Sequence, residues 1–163
     1  MKISKFLPML LFLGVLSFTS CNDDDDEEDP PAPTRSELLT AKNWSISELT
    51  VNPALAIGQN GNPETNLIPF TPACVLDDFE NYNSGGTFTW EEGASKCDPN
   101  DPDIFASGNW LWNSDETKLI VQENDGSSIE FTIVSISSTE MVRERVEVDQ
   151  AAQVTYTFTE TLN

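Results

Sequence analysis

The sequence predicts an all-β domain: an antiparallel up-and-down meander of about eight strands, closed into a barrel behind one short helix. Three observations carry this. Apolar and polar residues alternate with a period of two through most of the second half of the chain, the pattern of strands with one buried face. Short turn-forming stretches separate these runs, and "NDG" at Asn124–Gly126 is the sharpest hairpin signal. No helical segments lie between the strands, which excludes parallel β/α units. A meander of this length hides its edges by closing or by stacking two sheets, so a β-sandwich is the alternative.

The elements follow in order. Thr34 and Glu37 have capping-box spacing, and "SELLTAK" continues as a short helix carrying Leu38 and Leu39. "NWSISEL" sets Trp44 and Ile46 against Ser45 and Ser47. The stretch from Asn52 to Thr71 is rich in Pro, Gly and Asn and reads as a loop over one barrel end. A weak strand is expected at Cys74–Phe79. "TFTW" sets Phe88 and Trp90 on one face, and "GNWLWN" does the same for Trp110 and Trp112. "TKLIVQE" follows a turn at Asn113–Asp115. "SSIEFTIVSIS" aligns Ile129, Phe131 and Ile133. "EMVRERVEVD" sets Val142, Val146 and Val148 on one face, with Arg143 and Arg145 on the other. "QVTYTFTET" sets Val154, Tyr156 and Phe158 against three threonines. The apolar face of each strand is expected to point inward.

Three regions divide the chain: a leader at 1–20, a tether at 21–33 and the β domain at 34–163. Lys2 and Lys5 precede an apolar run from Phe6 to Phe18, too short to span a bilayer comfortably and followed by small polar residues. That is the layout of an export signal. Cys21 directly follows Thr19 and Ser20, which resembles a lipobox, although Phe18 stands where an aliphatic residue is usual. The resemblance implies that Cys21 is acylated and becomes the mature N-terminus. Seven carboxylates, Asp23–Asp29, and three prolines then make an extended, solvated spacer. Acidic residues just after the lipidated cysteine are similar to the export signal of Bacteroidota-type surface lipoproteins. This implies an outer-membrane anchor facing the cell exterior.

The formal charge is −20, from 8 basic and 28 acidic residues. Loss of Lys2 and Lys5 with the leader makes it −22, and setting aside the seven carboxylates of the spacer leaves −15. Such a field repels nucleic-acid phosphates and anionic lipid surfaces. Nucleic acid is therefore not an expected partner, and contact with a membrane depends on the lipid.

Three cysteines are an odd number for an exported chain. Lipidation of Cys21 leaves Cys74 and Cys97 to pair with each other, and that loop closure stabilises by roughly 3 kcal/mol. A tetrahedral metal site lacks ligands, because the chain has no histidine.

The chain also resembles the lipocalin-like domain lipoproteins of Bacteroidota-type bacteria over Ser36–Asn163. The residues that carry this are "LLTAKNW" (Leu38–Trp44), "CVLDDFENYNSGGTFTWEEGASKC" (Cys74–Cys97), "SGNWLWN" (Ser107–Asn113) and "KLIVQ" (Lys118–Gln122). Asp77, Asp78, Phe79, Gly86, Phe88 and Gly108 occupy the places the family pattern fills with the same residue types. The resemblance implies a lipocalin-like barrel. Lys42-Asn43-Trp44 stands where true lipocalins have Gly-x-Trp, so likeness to ligand carriers is one of architecture.

Chemistry is sparse. Without histidine the usual general base and the serine-hydrolase triad are missing. Asp77/Asp78 and Glu91/Glu92 are adjacent pairs, and neighbours on a strand point to opposite faces. Asp98, Asn100, Asp101 and Asp103 are hard oxygen donors but lack the spacing and glycine of a calcium loop, so they read as a solvated turn. No cofactor and no enzymatic activity are expected. The informative set is aromatic: Trp44, Phe88, Trp90, Trp110, Trp112, Phe131, Tyr156 and Phe158 all fall on faces read as inward. They either fill the barrel or line a cavity for a small hydrophobic or glycan ligand. Two functions stay open: a ligand-binding module, and a structural protein whose outer face meets another envelope protein.

Overall fold

The computed structural model describes residues 31–163. The expected leader, the expected lipidation site Cys21 and nearly all of the acidic spacer lie outside the described residues.

The capping box forms as expected. Thr34 caps helix α1 (Arg35–Leu39), accepting from the Glu37 N–H, while Glu37 reaches back to the Thr34 N–H. Strand β1 (Ile46–Ala56) is followed by a 3₁₀ turn and the short strand β2 (Pro63–Asn66). A second 3₁₀ turn leads to helix α2 (Ala73–Leu76). Seven strands complete the chain: β3 (Phe79–Tyr82), β4 (Thr87–Glu91), β5 (Ile104–Trp112), β6 (Lys118–Glu123), β7 (Ser128–Ile136), β8 (Met141–Asp149) and β9 (Val154–Leu162).

All nine strands form one antiparallel sheet in the order β2-β1-β9-β8-β7-β6-β5-β4-β3. The all-β, up-and-down expectation therefore holds, with β2 added to the expected count. The ladder itself does not close. Its β3 end meets the chain just ahead of β1 at one antiparallel bridge, where Trp44 and Glu80 exchange both backbone hydrogen bonds at 2.9 Å. Eight strands thus wrap round an interior, and β2 lies on the remaining edge of β1.

Two readings of the first half need correction. Asn52–Ala56 continues β1, and Pro63–Asn66 pairs with it, so Asn52–Thr71 is not simply a loop. Its alternation is hidden by Pro53, Pro63 and the Gly- and Asn-rich turn at 58–62. Part of it does reach over the barrel: Leu67 packs against Val51 and Phe158. The expected strand at Cys74–Phe79 is helix α2, with strand β3 beginning only at Phe79.

One end of the barrel is plugged. Leu39 from α1, Trp44, Tyr82, Leu119, Met141 and Leu162 are at or near zero exposure there, and Trp110 packs with them. Each buried indole keeps a partner: Trp44 Nε1 donates to the Leu39 carbonyl at 2.8 Å, and Trp110 Nε1 to that of Asn83 at 2.9 Å. Gly108 is needed where β5 and β6 press together, since a Cβ there would lie 2.0 Å from the Gln122 carbonyl oxygen.

Strand β8 is a third correction. Its valines do not face the core: Val146 is 62% exposed, while Arg143 is buried. Pairing decides this. Met141 lies opposite Leu162 and Arg143 opposite Glu160, so the face shared by Met141, Arg143 and Arg145 is the one that joins the inward face of β9.

Candidate functional site

Above the aromatic plug lies a layer of charge. Arg143 donates from Nη1 and Nη2 to the two oxygens of Glu80, both at 2.7 Å, and from Nε to Glu160 at 2.6 Å. Tyr82 receives a further bond from Nη1 at 3.0 Å and donates its own O–H to Glu80 at 2.6 Å. The guanidinium lies 3.8 Å from the Phe131 ring centroid. Arg145 continues the chain, bonding Glu160 at 3.1 Å, pairing with Glu147 and stacking on Phe158.

This arrangement answers the cost of burying charge. An isolated buried ion is expensive, but bidentate pairing with every oxygen satisfied recovers much of it. Burial pushes the Glu160 carboxyl up, yet Arg143 and then Arg145 outweigh it, and the group titrates below the usual carboxylate range. Tyr82 is pushed well up, first by burial and then by Glu80, which keeps its O–H as a donor.

A cavity of about 780 Å³ rests against this layer. Leu49, Phe88, Val121, Ile129 and Phe131 form its apolar wall, Trp90 lines it, and Glu80, Arg143 and Glu160 form its polar side. Residues of α2, Val75 and Leu76, contribute as well.

The cavity also reaches through the wall. Strands β7 and β8 pair from Ile136↔Met141 to Thr132↔Glu144, with an irregularity between Ile133 and Ser135. Beyond Thr132↔Glu144 no β7–β8 pair forms among the described residues. Ser128–Phe131 pair only with β6, and Arg145–Asp149 only with β9. Ser128–Thr132 and Glu144–Glu147, from both faces of the two strands, border the cavity. The parting is therefore a side opening.

The disulfide fixes the α2 side. Cys74 and Cys97 are bonded, with Cα atoms 5.3 Å apart, tying α2 to the segment after β4. Asp78 accepts from the Gly93 N–H at 3.0 Å, and Asp77 from the backbone and hydroxyl of Ser95 at 2.9 and 2.8 Å. Burial pushes Asp78 above its ordinary value, against the Gly93 hydrogen bond. The acids of "CDPNDPD" are engaged locally. Asp98 and Asp101 bind the backbone of their own turn, and Asp103 pairs with Lys96 at 2.6 Å. No group of three or more acidic or cysteine side chains is placed to hold a metal ion among the described residues.

Of the eight aromatic residues expected to be inward, Phe88, Trp90 and Phe131 border the large cavity. Trp44 touches only a pocket of about 50 Å³ beside it. Trp110 belongs to the plug, and Trp112, half-buried, donates to Ser36 of α1 at 3.0 Å. Phe158 and Tyr156 pack with Val51. Sequence reading missed the charged residues instead. A signal was present: Glu160 shares the alternation of Phe158 and Leu162, and an acid on an apolar face requires a cation on a neighbouring strand.

No protein-family model and no curated protein matches the chain. Among solved structures, the chain is similar to bovine odorant-binding protein. The complex with undecanal matches at 18% identity over 83% of this chain and 76% of that one, with a TM-score of 0.41. The complex with a selenium-containing odorant matches at 15% identity over 83% and 75%, with a TM-score of 0.40. The protein from nasal mucosa matches at 17% identity over 83% and 76%, with a TM-score of 0.41.

Proposed function

We propose that this domain binds a small, mainly apolar molecule inside its lipocalin-like barrel, and that acylation of Cys21 holds it at the outer membrane, facing the cell exterior. The observation that carries the binding reading is the cavity of about 780 Å³, with its apolar wall and one polar side. That volume lies within the range of small-molecule sites. Trp90, 40% exposed on the cavity wall, supplies the readout. Titration with a panel of fatty acids, alcohols and oligosaccharides is expected to change tryptophan emission saturably, and Trp90→Phe to remove most of that change. Silence across the panel sinks the reading. The anchoring reading is supported by the leader, the cysteine and the acidic spacer. Cys21→Ala is expected to release the protein from the membrane fraction.

A second reading is favoured by one observation. Val134, Val146 and Val148 are 56%, 62% and 51% exposed on the outer face of β7 and β8, an apolar surface suited to another envelope protein. Crosslinking in intact cells separates the two, since recovery of monomer alone counts against a partner.

A further inference from the structure

We infer that the ligand is a cationic amphiphile: a protonated amine or quaternary ammonium carried on an apolar tail. This rests on the ligand-binding reading above and assigns the charge of its ligand.

The cavity wall holds six glutamates against Lys118, Arg143 and Arg145. The three cations are already engaged. Arg143 and Arg145 balance Glu80 and Glu160, and Lys118 pairs with Glu130 at 2.6 Å. The surplus is three carboxylates. Two of them share the inward alternation of their strands. Glu123 follows Leu119 and Val121 as the last residue of β6, and Glu147 follows Arg143 and Arg145 on β8. Arg145 is divided between Glu147 and Glu160, so it does not cancel both.

An anionic head finds no counterpart here. Nε and both terminal nitrogens of Arg143 are engaged by Glu80, Glu160 and Tyr82. A carboxylate or phosphate entering the cavity would meet the surplus of like charge without a free partner.

A cation has a second contact. Three aromatic rings of the domain already carry a basic side chain: Lys42 on Trp44, Arg143 on Phe131 and Arg145 on Phe158. Trp90 carries none among the described residues, is 40% exposed, and lines both the cavity and the pocket beside it. Indole is the best side-chain acceptor for an ammonium group. The apolar tail then lies along Leu49, Phe88, Val121, Ile129 and Phe131, and the head stays near Trp90, Glu123 and Glu147. The strong negative charge of the whole chain raises the local concentration of such a cation.

The test compares probes that share one tail. Decylamine, decyltrimethylammonium, decanol and decanoate are titrated below their micellar concentrations into the full chain, by calorimetry at low and high salt. The two cations are expected to bind about tenfold more tightly than decanol, the order of one desolvated cation–π contact plus a carboxylate. Decanoate is expected to be weakest. The preference should shrink at high salt and in the Glu123→Gln/Glu147→Gln double variant, with decanol affinity unchanged. Glu116→Gln/Asp125→Asn, which removes two acids from turns outside the cavity, should keep it. Decanol or decanoate binding as tightly as the amines overturns the inference but leaves the cavity reading standing. So does a preference that survives the cavity double variant, or one lost equally in the turn variant. Failure of all four probes sinks both.

Discussion

Glu80 and Arg143 join β3 to β8 across the barrel interior through two parallel hydrogen bonds of 2.7 Å. The same Glu80 uses its backbone to bridge Trp44, where the two ends of the wrapped sheet meet. One residue thus ties the seam of the barrel to its charged layer, and the layer supports the cavity.

Removing Arg143 should be severe. Arg143→Met leaves Glu80 without its cation and Glu160 with Arg145 alone, a loss of about 3–5 kcal/mol measured as a shift of the urea midpoint. The triple variant Glu80→Gln/Arg143→Met/Glu160→Gln should recover much of that loss. A midpoint for Arg143→Met within error of the parent would show that the layer is solvated.

Acid should weaken the fold through Glu160. Its folded-state carboxyl titrates below the ordinary value of 4.5. A depressed acid contributes stability that is fully present above the unfolded value and is lost as pH falls through the folded one. Denaturation midpoints should therefore drop below the ordinary carboxylate range, and Glu160→Gln should reduce the slope. Asp78 has the opposite sign, because its value is raised. Its protonation relieves a cost, so Asp78→Asn should make the acid-side loss steeper.

Breaking the disulfide should act on stability and on the site together. Cys74→Ser/Cys97→Ser is expected to lose roughly 3 kcal/mol in the chain-entropy picture. It also frees α2, whose Val75 and Leu76 border the cavity. Ligand affinity measured well below the unfolding midpoint should fall. Unchanged affinity would place α2 outside the ligand's contacts.

The inverted face of β8 predicts a contrast. Val146→Thr and Val148→Thr, on the exposed face, should each stay within about 0.5 kcal/mol of the parent. Leu119→Ala, in the plug, should cost about 2–5 kcal/mol. Equal effects at the two kinds of site would contradict the assigned facing.

Much of the fold was legible because it is local. Thr34 and Glu37 announce the helix cap, and Asn124–Gly126 the β6–β7 hairpin, where Gly126 takes a φ of 95°. Period-2 alternation marks β4 to β9. The cavity was legible only as a set of aromatic residues, and three of the eight border it. Alternation gives two faces, and the chemistry that selects the inner one lies on another strand. The Val-rich face of β8 looked like core because valine is apolar. It is outside because the register with β9 sets Arg143 opposite Glu160.

The sequence by itself determined the strand periodicity, the hairpin order, the helix cap, the strong negative charge and the pairing of the last two cysteines. Each is written in neighbours along the chain or in a count of residues. Tertiary structure alone decided the seam at Trp44 and Glu80, the Glu80–Arg143–Glu160 layer, and the parting of β7 from β8 that opens the cavity. The seam and the charged layer depend on residues 17 to 63 positions apart. Only the completed sheet brings them within hydrogen-bonding distance, and there the cost of burying a charge is set by the partner that meets it.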